Sequence, residues 1–247
     1  MENKIVCKGC LDLISELPDN HVDLVITSPP YNVGKDYEIG LWKNDEEYLQ
    51  FIFQVLRDLY RVLKPGRFIC WNVSHRPHKN TPVFHAYCME QIGYKFQETI
   101  IWQKPDAISP RFGTTYRFPY PFYYYPNNIY EYIFVYQKPG KLKRRKSEDL
   151  RLDREWLKPI SSNIWKMGTV RTHKEHPASF PLKLPKRLIQ LYSYPGEIVF
   201  DPFCGIGTTL IAAKALKRKY LGCDTEKKYI KIAKRNLSRK VGQLAKS

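Results

Sequence analysis

Short apolar runs alternate with longer stretches of helical period along this chain. Val22 to Ile26 (with Asp23 inside it) and Ile198–Phe200 are short and apolar and read as buried strands. Between 45 and 63, Leu49, Phe51, Ile52, Val55, Leu56, Leu59, Tyr60 and Leu63 recur at helical spacing, and Lys64-Pro65-Gly66 ends the pattern. The same reading predicts strands at 4–6, 68–73, 95–103, 130–137 and 220–223. It predicts helices at 11–17, 83–92 and 208–216, one between 179 and 194, and a last one from Glu226. Strands and helices in alternation predict an α/β sheet with helices on both faces.

The region 104–175 breaks the pattern. It is rich in Pro, Tyr and basic residues, and 138–158, with Lys141-Leu142-Lys143-Arg144-Arg145-Lys146, reads as an exposed and mobile insert. Between Phe112 and Tyr136, 12 of 25 residues are aromatic, a composition that stacks on unpaired bases or fills a β-hairpin.

A length of 247 residues suits one large domain or a domain with a small insert. No apolar run approaches the ~20 residues of a membrane span, and the N-terminus lacks a signal-peptide pattern. Six cysteines fit a reducing compartment, so the expectation is a cytoplasmic protein with no membrane partner. The net charge of +17 is uneven. Residues 1–137 carry 14 Lys+Arg against 15 Asp+Glu, whereas 138–187 carry 15 against 5 and 214–247 carry 12 against 2. A localised basic excess is the footprint of a phosphate-binding face, or else a solvated surface.

Two motifs follow strand-like runs. Thr27-Ser28-Pro29-Pro30-Tyr31-Asn32 sets a hydroxyl, two prolines and a ring at a strand tip. Asp201-Pro202-Phe203-Cys204-Gly205-Ile206-Gly207-Thr208-Thr209 is a tight glycine turn opening a helix, which lets backbone approach a ligand. Asp224 ends the next strand, where a carboxylate can accept both hydroxyls of a ribose or cap the following helix. Cys7-Lys8-Gly9-Cys10 has no second pair at a spacing that would complete a zinc site, so no metal is expected, and His75 with His78 reads as a loop pair.

Together these motifs resemble the AdoMet-dependent amino-methyltransferases of nucleic acids. The order, Pro-Pro motif first and glycine turn last, is that of the β class, and Ser-Pro-Pro-Tyr is most similar to the cytosine-N4 branch. The stretch His176-Pro177-Ala178-Ser179-Phe180-Pro181 before the glycine turn belongs to the resemblance. So do Arg61-Val62-Leu63-Lys64-Pro65-Gly66, Ile101-Trp102-Gln103-Lys104 and Glu131. One position departs: the family often carries Asp after the first strand, where this chain has Gly9 and Cys10.

The resemblance implies a Rossmann-like doubly wound fold with a mostly parallel seven-stranded sheet. It implies one methyltransferase domain with a catalytic half at 1–103, a target-recognition region at 104–175 and an AdoMet-binding half at 176–247. Asp201, Phe203, Gly205, Gly207 and Thr208 would surround the methionine end of S-adenosylmethionine with Ser179 and Phe180, and Asp224 would hold the ribose. Ser28 and the Pro29-Pro30 turn would accept hydrogens from an exocyclic amine, and Tyr31 would stack on the flipped base. Asn32, Arg111, Arg117, Lys143, Arg144 and Arg145 are the expected nucleic-acid contacts. The implied substrate is cytosine N4 in duplex DNA, with adenine N6 or structured RNA as alternatives, and the protein would be a monomer or a homodimer.

Overall fold

Strand β2 (Val22–Thr27) is buried at all six positions, so it needs apolar side chains on both faces. Leu24 and Ile26 enter one core, Val22 and Val25 the other. Asp23 survives in this setting because its carboxylate is fully used. It accepts from Lys64 Nζ at 2.7 Å and from the backbone N–H of Ile198 at 3.0 Å.

The computed structural model describes residues 2–32, 41–75, 79–105, 120–122, 128–142, 144–145, 147–169 and 180–238. Its elements run β1 (Lys4–Cys7), α1 (Cys10–Ser15), β2, α2 (Asp45–Val62), β3 (Leu63–Val73), α3 (Thr81–Ile92), β4 (Lys95–Gln103) and β5 (Tyr130–Gln137). Then come α4 (Arg154–Leu157), β6 (Ile164–Lys166), α5 (Lys183–Tyr192), β7 (Ile198–Asp201), α6 (Thr208–Ala215), β8 (Lys219–Asp224) and α7 (Lys227–Ser238). The strands form one sheet in the order β1-β8-β7-β2-β3-β5-β4-β6, with only β5 antiparallel to its neighbours. One face packs on α1, α2 and α3, the other on α5 and α6.

The sheet has eight strands among the described residues, not seven. The extra one, β6, comes from the region the pattern left irregular, and it pairs with β4 through Ile101, Trp102 and Gln103. Three residues are too few to show a period. Most described residues of the insert are exposed, and a few apolar side chains tie it down. Leu142, Trp156 and Leu157 pack against the second core, and beyond the insert Ile160, Trp165 and Met167 are buried in that core. Lys64-Pro65-Gly66 does end α2, but β3 begins at once through it. Gly66 sits at φ 79°, and the β2–β3 register shifts alongside, where proline needs no ladder bond.

From β2 the chain crosses through α2 to β3 on one side; from β7 it crosses through α6 to β8 on the other. The sheet therefore switches direction between β2 and β7, which pair in parallel through Leu24 with Val199 and Val25 with Phe200. A crevice opens beyond the carboxyl ends of the strands at such a point. It places 28–32 beside 201–209 although they are far apart in the chain, as the hydrogen bond between Thr27 and Asp201 spans 174 residues.

Candidate active site

Asp201 joins the two motifs. Its Oδ1 accepts the Thr27 hydroxyl at 2.6 Å and the Phe203 N–H at 3.1 Å. Gly207 follows at φ 85° and caps α6, and a side chain there would put its Cβ 3.0 Å from Ala233 Cβ. Conformation and packing thus both require glycine, and α7 closes over the turn.

Burial pushes the Asp201 carboxyl up to about 6, against the opposing pull of its hydrogen bonds. The unfolded chain loses this proton near the ordinary carboxylate value, while the native state keeps it to about pH 6. The contribution is therefore present at low pH and is lost as pH rises through that window. Urea denaturation should show the stability of the wild type relative to Asp201→Asn falling between about pH 4 and 6. Parallel curves would rule the shift out.

Asp224 lies at the end of β8. Its Oδ2 accepts the Gly205 N–H at 3.0 Å and its Oδ1 the Glu226 N–H at 2.9 Å. It thus braces the glycine turn and the entry to α7 while each oxygen keeps a lone pair. Burial raises its pKa. These groups line a cleft of about 610 Å³, within the usual range for small-molecule sites. Phe203, Ile206 and Tyr229 give it apolar walls, Asp224 an acid, and Thr208 the start of a helix. An apolar slot beside an acid and a helix N-terminus fits a nucleoside joined to an amino acid.

At the other end of the same cleft lie Ser28, Pro29, Pro30 and Tyr31. Ser28 Oγ is 2.7 Å from Tyr31 Oη, which donates to Glu131 Oε2 at 3.0 Å. Asn72 Nδ2 donates to Tyr31 Oη at 2.9 Å and to Glu131 Oε2 at 2.5 Å, while Lys104 pairs with Glu131 Oε1. Asn72 Oδ1 is buried with no partner. Sequence reasoning gave these three residues no role; the one available signal was Glu131, an acid opening the otherwise aromatic and aliphatic run of β5. Tyr31 was expected to offer a ring to the base; its hydroxyl, at the far end of that ring, is committed to this cluster.

A second chain of bonds holds the turn from behind. The indole N–H of Trp71 donates to His85 Nδ1 at 3.0 Å, which leaves the proton of the ring on Nε2. That nitrogen meets Tyr48 Oη at 3.2 Å, and the Tyr48 hydroxyl donates to the Pro30 carbonyl at 3.1 Å. Asn32 ends the turn at φ 51°, a conformation asparagine tolerates.

The remaining expected residues are distributed unevenly. Phe180 and Thr208 line the cleft, whereas Ser179, Arg111, Arg117 and Lys143 lie outside the described residues, as do His78 and His176-Pro177-Ala178. Arg144 and Arg145 are not brought to the cleft. Arg145 stacks on Tyr194 and faces Glu197 at 3.9 Å, before the start of β7, whereas the cleft lies past its end. The turn at Gly66 draws this segment there, since Lys141 and Leu142 pack on its bare backbone. Cys10 is buried, and Asp12, one turn into α1, lines the cleft near the position where the family often has its acid.

Residues 22–235 match the DNA methylase family of N6 and N4 methyltransferases. The type II methyltransferase M.BglII of Bacillus subtilis is 32% identical, over 96% of this chain and 69% of its own length. A modification methylase of Thermus thermophilus, TTHA0409, solved in complex with S-adenosyl-L-methionine, superposes with a TM-score of 0.76 at 27% identity. That match covers 97% of this chain and 94% of the other. The PvuII DNA methyltransferase (cytosine-N4-specific) has the same fold, with a TM-score of 0.75 at 19% identity over 100% of this chain and 91% of its own.

Proposed function

The chain belongs to the DNA methylase family of AdoMet-dependent N4/N6 methyltransferases, and from that premise we propose that it methylates the N4 amine of cytosine in DNA, on a base flipped out of the duplex. The observation that carries the choice of base is Ser28. A hydroxyl, not a carboxylate, heads the Pro-Pro turn at the switch point of the sheet. One methyltransferase domain would hold the catalytic corner in 1–103, the AdoMet site in 176–247 and target recognition in 104–175, as one half of a restriction-modification system.

Bound AdoMet supplies an electrophilic methyl group on a sulfonium centre. Asp224 would hold its ribose, and Phe203, Gly205, Gly207 and Thr208 would hold its methionine end with Phe180, Ser179 and Asp201. The amine is a poor nucleophile because its lone pair is conjugated into the base ring. Ser28 Oγ and the Pro29 carbonyl would accept its two hydrogens, drawing the nitrogen toward sp³ geometry and stabilising the positive charge that develops. The Tyr48 hydroxyl on the Pro30 carbonyl keeps the turn in place for this. The Tyr31 ring would stack on the base, and Asn32, Arg111, Arg117 and Lys143 would contact the nucleic acid.

The second reading is adenine N6. The carboxylate of Glu131 in the same corner favours it, since an acid there would resemble the Asp-Pro-Pro-Tyr form. Incubation with AdoMet and duplex DNA, followed by digestion and mass spectrometry, separates the two. N4-methyldeoxycytidine is the expected product; N6-methyldeoxyadenosine would overturn the choice of base. A parallel incubation with total RNA that alone gives a methylated nucleoside would overturn the DNA substrate.

A further inference from the structure

We propose that Glu131 is a positioning residue that, acting through Tyr31, turns the Ser28 hydroxyl into a hydrogen-bond acceptor for the target amine. This rests on the amine-transfer reading above. A serine hydroxyl can donate or accept, and only its lone pairs help an amine become a nucleophile. What decides is where its own hydrogen goes.

The cluster settles that direction. Glu131 can only accept, and bonds to a charged group are roughly twice as strong as neutral ones. The Tyr31 hydrogen therefore goes to Glu131 Oε2 at 3.0 Å in preference to the backbone carbonyl of Asn72 at 3.3 Å. Tyr31 Oη then turns a lone pair toward Ser28, 2.7 Å away, and takes the serine hydrogen. Asn72 Nδ2 also approaches the Ser28 oxygen, at 3.4 Å, and the serine keeps a lone pair for the cleft it lines. Burial, followed by the charge of Glu131, holds the Tyr31 phenol well above its ordinary value, so it stays a donor. Asn72 is locked the same way round, because its Nδ2 must face the carboxylate. Lys104 on Oε1 matches the partly buried charge.

Glu131→Gln tests the relay with almost no change of shape. Lys104 would keep the amide oxygen on its side, so the NH₂ would face Tyr31, whose hydrogen would then turn to Ser28 at 2.7 Å in preference to the Asn72 backbone carbonyl at 3.3 Å. Ser28 would then present its hydrogen to the cleft. We expect kcat to fall about 10²-fold, as when one preorganised polar group of a transition-state site is lost, with KM for DNA and the AdoMet Kd within about twofold. Tyr31→Phe, which keeps the ring and cuts the relay in the middle, should give the same split, and it decides the matter should Glu131→Gln fail to fold. AdoMet calorimetry on each variant reports folding.

The decisive comparison is a double-mutant cycle with Ser28→Ala. If Glu131 works through Ser28, Glu131→Gln should cost nothing further once the hydroxyl is gone. An equal fold-loss in both backgrounds overturns the proposal while leaving Ser28 as the acceptor. A silent Ser28→Ala overturns both, and so separates failure of the amine-acceptor reading from failure of the relay alone.

Discussion

Replacing Ser28 by alanine is expected to lower the rate of methyl transfer about 10²–10³-fold while leaving AdoMet affinity within about twofold. The hydroxyl matters only once charge begins to develop on the amine. Before reaction the amine is planar and nearly neutral, and an acceptor on its hydrogen adds little. As the new bond forms, positive charge grows on the nitrogen and its hydrogens become stronger donors. An acceptor fixed in place beforehand by Tyr31 and Glu131 costs no reorganisation at that moment. The loss should therefore appear in single-turnover kcat and not in KM. A rise in KM at unchanged kcat would make Ser28 a binding residue, and an unchanged rate would remove it from the chemistry.

The second large effect is expected at Asp224. Asp224→Ala should weaken AdoMet about 10²-fold or more, because hydrogen bonds to a charged group contribute about 1.5–3 kcal/mol each and a ribose offers two donors. The same change frees the N–H groups of Gly205 and Glu226, so the glycine turn loses its brace as well. pH supplies a check that does not involve mutation. Burial raises the Asp224 pKa, so its carboxylate protonates earlier on acidification than an exposed one would. A protonated carboxyl accepts poorly, and AdoMet affinity in the wild type should fall as pH drops into the acid range. Calorimetry from neutral pH downward would measure this, and an affinity flat with pH would leave the ribose to other groups.

The strands and helices were legible because burial imposes a period. Val22 to Ile26 and Ile198–Phe200 could only be covered strands, and α2 showed its face through Ile52, Val55, Leu56 and Leu59. Strand β6 was illegible because three residues carry no period, and it exists only because β4 offers an unpaired edge. The insert is mostly exposed, as its charge implies, and what the charge did not show is that Trp156 and Leu157 dock it on the second core. Arg144 and Arg145 illustrate a related limit. Charge shows that a segment is basic, but which end of the sheet it reaches depends on a contact with Gly66, far earlier in the chain.

The cofactor end of the site is local chemistry. Asp201, the glycine turn and Asp224 lie close together in the chain on consecutive strand ends, and short-range geometry dictates what such a turn can do. The amine-acceptor end is not local. Ser28 and Pro29 announce themselves, but whether the serine gives or takes a hydrogen depends on Glu131, Asn72 and Lys104, which arrive from three other strand ends. By itself the sequence determined the α/β alternation, the two motifs and the family they resemble, because those follow from periodicity and from adjacent residues. Tertiary structure alone decided that the motifs meet at the switch between β2 and β7 and which way the hydrogens run in the corner beside them. Hydrogen-bond direction is a property of the whole cluster, and no residue in it carries that information alone.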